Sequence, residues 1–196
     1  MALLMSKPTT RRGALRRLVT AALAALLGLG ALASAVSADQ VVDFDELKAA
    51  FVFQFANYVQ WPESSFKEAS SPIVIGIVGN DAMVKTLSAS VRGKMVGAHP
   101  IEVTSVGNEK AVAPCHILYI DGSIDTRVDQ YLAVTRSKPI LTVSDHENFT
   151  SEGGVIRLFK KDNKLRFEVN VDEAQRAGLT ISSKLLGLAQ VVHDKS

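Results

Sequence analysis

Cys115 is the only cysteine in the chain, so no internal disulfide can form and the fold must rest on its core alone. Its apolar surroundings, CHILYI, mark a buried and inert thiol, although an unpaired cysteine in an exported chain also offers a link between two subunits. His99, His116, His146 and His193 are scattered, and none stands at metal-ligand spacing from another histidine or from Cys115. His116, inside the apolar run, reads as a satisfied core residue. GIVGND, Gly76 to Asp81, lacks the third glycine of a dinucleotide fingerprint and the lysine of a P-loop, and no G-x-S-x-G elbow occurs. These absences leave nucleotide-binding and elbow-type hydrolase chemistry without a motif, and no metal or cofactor is expected.

No apolar run reaches the roughly 20 residues that span a bilayer. The nearest is LVTAALAALLGLGALA, Leu18 to Ala33, and it follows a stretch with no acids at all. The first 38 residues carry Lys7, Arg11, Arg12, Arg16 and Arg17, then the apolar run, then the small residues ASAVSA, the order of a signal peptide cleaved before Asp39. TRRGAL, Thr10 to Leu15, resembles a twin-arginine signal with Ala14 where a large apolar residue belongs, so the export route stays open. Removing 5 of the 22 basic residues leaves 17 against 20 acids, a net charge near −3, and the basic pI of 8.7 belongs to the precursor. A weakly acidic domain with scattered lysines gives no electrostatic case for nucleic acid or anionic lipid.

After Asp39 there is no repeat and no low-complexity linker, which predicts one domain over 39–196; 47% apolar against 21% charged residues is a globular composition. Val42 to Trp61 reads as a first helix, with Asp43 and Glu46 as a capping box, Val42 and Leu47 as a hydrophobic staple, and Trp61-Pro62 forcing an end near Gln60. PIVIGIVG, HPIEVTSV, CHILYID and PILTVSD read as strands, Asn80 or Asp81 caps a helix to about Val91, and Ser123 to Arg136 is a helix with Val128, Tyr131 and Leu132 at helical spacing. GGVIRLFKKDNKLRFEVN is an antiparallel hairpin turning at Asp162-Asn163. A helical turn from Asp172 stops at Gly178, and Ser182 or Ser183 caps a last helix with Ile181, Leu185, Leu188 and Val192 in a stripe. The order predicts an α/β single-domain sandwich: a mixed, mostly parallel sheet flanked by helices, with a C-terminal β-hairpin and helix.

FVFQFANYVQWP, Phe51 to Pro62, concentrates five aromatics in eleven residues. At 100° per residue most of them share one face with Leu47, Val52, Ala56 and Val59, which makes the segment a core helix and removes a membrane reading. Phe53 falls between Asn57 and Gln60 and Trp61 near the polar side, so these two are the candidate partner-binding residues. SDHENF, Ser144 to Phe149, follows a strand and holds a base, two acids and a hydroxyl, but adjacent residues rarely converge on one atom and these types build turns. Gly79, Asn80 and His146 outline a candidate ligand crevice beyond the strand ends.

Two separated stretches, LKAAFVFQFANYVQWP (Leu47 to Pro62) and LRFEVNVDEAQRAGLTISSKLLGLAQV (Leu165 to Val191), closely resemble the YfiR-like family of periplasmic proteins. IVIGIVG, CHILYI, LTVSD and the paired glycines Gly153-Gly154 fall between them in the family order. The resemblance implies a non-catalytic periplasmic regulator that binds the periplasmic part of an inner-membrane diguanylate cyclase, or another inner-membrane sensor, and so controls cyclic di-GMP. Members with cysteine pairs form disulfides; Cys115 matches one such position without a partner, so control through an internal disulfide is ruled out here. Glu168 and Arg176 are polar positions shared with the motif, and an ion pair between them is one arrangement they allow. The residues themselves leave two other classes open, a small-ligand receptor or sensory subunit and, with less support, a hydrolase using His146; a homodimer is compatible with each.

Overall fold

The computed structural model describes residues 43–194, and the expected signal peptide and the staple residue Val42 lie outside them. Helix α1, Phe44–Phe55, starts where Asp43 Oδ1 accepts the Asp45 backbone N–H at 2.9 Å. It ends five residues before the sequence pattern does. Backbone N–H groups of Asn57 and Tyr58 bond back to Gln54 and Phe55, tightening the last turn, and the chain then extends as β1, Val59–Gln60. The cause is distant in sequence: β1 pairs antiparallel with β9, Thr180–Ile181, and Ser182 donates to the Tyr58 carbonyl at 2.8 Å.

The main sheet is built from β2 (Ile73–Val78), β3 (Met95–Val96), β4 (His99–Ser105), β5 (Ile117–Ile120), β6 (Leu141–Ser144), β7 (Ile156–Lys161), β8 (Lys164–Asn170) and β10 (Gln190–Val192), in the order β10-β8-β7-β6-β5-β2-β4-β3. Pairing is parallel except at β3–β4 and β7–β8. Ile117 and Tyr119 of β5 face one core with Phe55, Leu87 and Phe167, whereas Leu118 and Ile120 face the other with Val128, Tyr131 and Phe149. Burial on both faces is why ILYI reads as an unbroken apolar run.

The first core is closed by α1 and by α2, Asp81–Val91, whose start is capped by Asn80 Oδ1 accepting from Met83 N–H. The second is closed by α3, Val128–Thr135. The sequence places that helix from Ser123, but Gly122–Arg127 winds as 3-10 turns with a kink at Ile124. Asp162 and Asn163 both adopt positive φ, as the tight β7–β8 turn requires. After β8, α4 (Val171–Arg176) is stopped by Gly178 at φ 70°.

The last helix is a single turn, α5, Ser183–Leu186. The expected stripe does not form: Ile181 belongs to β9, Leu185 is buried, Leu188 is 75% exposed, and Val192 belongs to β10, which pairs parallel with β8. Main-chain pairing along the β8 edge outweighs a short helix with little apolar surface to bury.

Candidate functional site

Three parallel strands, β2, β5 and β6, end side by side, and the residue just past each end is polar or glycine. Connections leave β2 toward β4 and β5 toward β6, so the switch point of the sheet lies between Gly79-Asn80 and Asp121. The structure fills this place with its own hydrogen bonds. Asn80 Nδ2 donates to Asp121 Oδ2 at 2.8 Å, and Ser123 N–H donates to Asp121 Oδ1 at 3.0 Å. Asp145 Oδ1 accepts from Gly122 N–H at 2.8 Å and from the Tyr119 hydroxyl at 3.1 Å, while Lys48 of α1 donates to Oδ2 at 2.9 Å.

Burial opposes the charge on Asp121, but bonds from Ser123 and Asn80 outweigh it and hold the carboxyl below its ordinary value. Lys48 behaves the same way, its burial outweighed by Asp45 and Asp145, which raise the ammonium above its usual range. Burial, and then the neighbouring Asp145 and Asp121 charges, push the Tyr119 phenol far up, so it stays a hydrogen-bond donor. Gly79, at φ 80°, lies under Ile124, where a Cβ would come within 2.7 Å of that side chain. His146 sits beyond the Asp121–Gly122 loop, its Nε2 3.1 Å from Glu152 Oε2. Gly79 and Asn80 therefore stand on one side of Asp121, and His146 on the other.

A second polar cluster is built by the C-terminal motif. Glu168, 6% exposed, accepts from Arg157 Nε at 2.8 Å and Nη2 at 3.0 Å, and from the Thr150 hydroxyl. Arg157, one strand away in β7, thus takes the partner place that the sequence leaves open for Arg176. Arg176 pairs instead with Glu173 and Asp194. Asn170, 1% exposed, uses its whole amide: Oδ1 accepts from Asp172 and Glu173 N–H, each at 3.1 Å, and Nδ2 donates to the Thr150 carbonyl at 3.0 Å and to Asp194 Oδ1 at 2.8 Å. The Asn170 and Arg176 bonds hold the Asp194 carboxyl below its ordinary value.

Beside this network opens a groove of about 650 Å³ between the loop at Thr150–Gly153, the start of α4 and the tail at Val192–Asp194. Arg136, Arg176 and His193 line it together with Glu152, Glu173 and Asp194, a mixture that suits a ligand carrying both charges. Among the described residues no group of three or more His, Cys, Asp or Glu is placed to hold a metal ion.

Phe53 is half-buried at the margin of the first core, with Lys94 Nζ 4.9 Å from its ring centre. Trp61 is also half-buried, and its Nε1 donates to the His116 carbonyl at 3.1 Å. His116 accepts from Val74 N–H at Nδ1 and donates from Nε2 to the Ser65 carbonyl, and burial is the main reason its pKa lies below the ordinary value. Phe66 stacks between His116 and His99 at 4.6 and 4.1 Å. Cys115 is 4% exposed and burial pushes its thiol up to about 11.

The family model described as YfiR/HmsC-like matches residues 45–190, from the first turn of α1 to the start of β10. The chain belongs to the YfiR/HmsC-like family. No curated protein matches it.

For this YfiR/HmsC-like chain, the most regular C-terminal residues prove to be scaffolding: Asn170 caps α4, Gly178 stops it and Ser182 caps α5. Sequence reading does not single out Lys48, Asp121, Arg157 or Asp194, and it takes Asp145 only as one acid of the SDHENF turn. A signal for Asp121 is present, since it directly follows a fully buried strand just as Asp145 does. Arg157 and Asp194 carry none, because their partners are set by sheet order and by the path of the tail.

Proposed function

We propose that this protein is a non-enzymatic periplasmic regulator that binds an inner-membrane signalling protein, such as a diguanylate cyclase, and restrains cyclic di-GMP synthesis. The family match over residues 45–190 carries the reading, because it takes in nearly the whole described fold and not a local motif. The carboxylates at the strand ends agree with it: Asp121 and Asp145 are engaged by Asn80, Ser123, Gly122, Tyr119 and Lys48, a rigidifying role. No helix of the described residues is long and apolar enough to cross a membrane.

Phe53 and Trp61 are the proposed partner contacts, with Phe53 the stronger, since Trp61 spends its N–H on His116. Affinity capture from solubilised membranes tests the reading. A recovered sensor or cyclase whose capture weakens with Phe53→Ala supports it, and capture of no such protein counts against it.

The groove of about 650 Å³ favours a second reading, a small-ligand receptor or sensory subunit. In that reading the ligand site is this groove, displaced from the crevice of Gly79, Asn80 and His146. A thermal-shift screen separates the two, because a specific ligand raises the melting temperature by mass action. A shift abolished by Arg136→Gln supports the groove, and no shift across broad ligand classes removes it.

A further inference from the structure

The outer half of the β7–β8 hairpin turns Leu165 toward the first core, while Phe159 on its other face belongs to neither core. On one of its faces the register places Arg157 opposite Glu168, Phe159 opposite Arg166, and Lys161 opposite Lys164. The inner pair neutralises itself through the Arg157–Glu168 bonds. The outer pairs do not. Lys161, Lys164 and Arg166 are exposed, and none has an ion-pair partner among the described residues.

Phe159 packs into neither core cluster; the Arg157 guanidinium lies over its ring at 4.7 Å. Two lysines directly opposite one another weaken a strand pair, and Phe159, half-buried beneath Arg157, adds to neither core, so core packing does not account for this face. The segment from 160 to 166 holds Lys160, Lys161, Lys164 and Arg166 against Asp162 alone, a net +3 within a domain near −3. Strand alternation then places Lys161, Lys164 and Arg166 on one face and Lys160 on the other.

We propose that this face of the hairpin docks on an anionic lipid surface, with Lys161, Lys164 and Arg166 meeting headgroup phosphates and Phe159 entering between them. Basic side chains with long apolar stems around an aromatic ring suit the boundary of a bilayer. The groove beside α4 is not lined by these residues, and fluid headgroups, unlike a bound peptide, need no fixed register. The opposite face is fixed by charge of the other sign: there Lys160 lies 4.2 Å from the Phe44 ring at the start of α1, beside the exposed acids Asp43, Asp45 and Glu46. Those acids turn that side away from an anionic plane and leave the Lys161–Arg166 face toward it.

The inference rests on the proposed function only for where the lipid lies. Vesicles contain no protein partner, so their result is independent of whether cyclic di-GMP responds.

The test is co-sedimentation of the protein recovered from exporting cells with vesicles of phosphatidylcholine alone and of an equal mixture with phosphatidylglycerol. Binding to the mixed vesicles only, reduced by salt and at least about ten-fold by K161Q/K164Q/R166Q, is the expected result. Phe159→Ala, which keeps every charge, weakens binding as well, and K67Q/K85Q/K138Q, an equal loss of exposed positive charge elsewhere, binds as the parent does. Thermal melting confirms that each variant is folded. Equal binding to both vesicle types, none to either, or the same loss in the K67Q/K85Q/K138Q control overturns the proposal.

Discussion

Glu168 shows how a single carboxylate holds two strands and a loop together. Burial raises the cost of its charge, yet the Arg157 and Thr150 bonds outweigh that cost and keep its pKa below the ordinary 4.5. The stabilisation is therefore complete above about pH 4.5 and is lost as the pH falls through the still lower folded value. Glu168→Gln is expected to cost roughly 1.5–3 kcal/mol at neutral pH. In denaturant titrations the gap between parent and variant narrows as the pH drops below 4.5; a pH-independent gap would mean that the ion pair does not set it. Cys115 works in the opposite sense. Its folded pKa, pushed up to about 11 by burial, makes the neutral thiol a stabilising group that is lost as pH rises through 9 toward that value. Alkylation at pH 8 should be slow in the folded protein and fast in urea, and equal rates would place the thiol in solvent. At Gly154 the constraint is space: an added Cβ would stand 2.2 Å from a carbon of Phe149, whose ring is fully buried. Gly154→Ala should lower the denaturation midpoint by an amount corresponding to about 1–3 kcal/mol, and an unchanged midpoint would mean that Phe149 moves freely.

Among elements, those specified by local chemistry are legible in the sequence and those specified by distant pairing are not. The helix cap at Asn80, the turn at Asp162-Asn163 and the stop at Gly178 each depend on one residue type at one place, and the structure has all three. Val59–Gln60 and Gln190–Val192 continue a helical pattern, yet both become strands, because their partners Thr180–Ile181 and Glu168–Asn170 are supplied by the fold. The candidate site divides the same way. Asn170 is readable as a cap, but its bonds to Thr150 and Asp194, which tie the loop and the tail to α4, are not. Asn170→Ala removes the cap and leaves the buried Thr150 carbonyl without this donor, an expected loss of more than about 2 kcal/mol. Hydrogen exchange should locate the effect, with amides of β10 and the first turn of α4 exchanging faster and those of β2 and β5 unchanged. Uniform acceleration would contradict a local latch.

At the scale of the molecule, α1 and α2, with Ala174 of α4 and Leu185 of α5, cover one face of the sheet and α3 covers the other, and the strands hold three loops at the carboxyl ends of β2, β5 and β6. There Lys48, Asn80 and Tyr119 donate hydrogen bonds to Asp145 and Asp121. The polar groove lies instead at the other end of the chain, beside α4 and the tail. Within the YfiR/HmsC-like family this arrangement supports action through binding, and the consequence is measurable inside the cell. Intracellular cyclic di-GMP in a strain lacking this protein, compared with the same strain carrying it again, tests the central claim most directly. The account predicts that cyclic di-GMP rises when the protein is absent and falls back when it is restored; an unchanged level in both strains would contradict it.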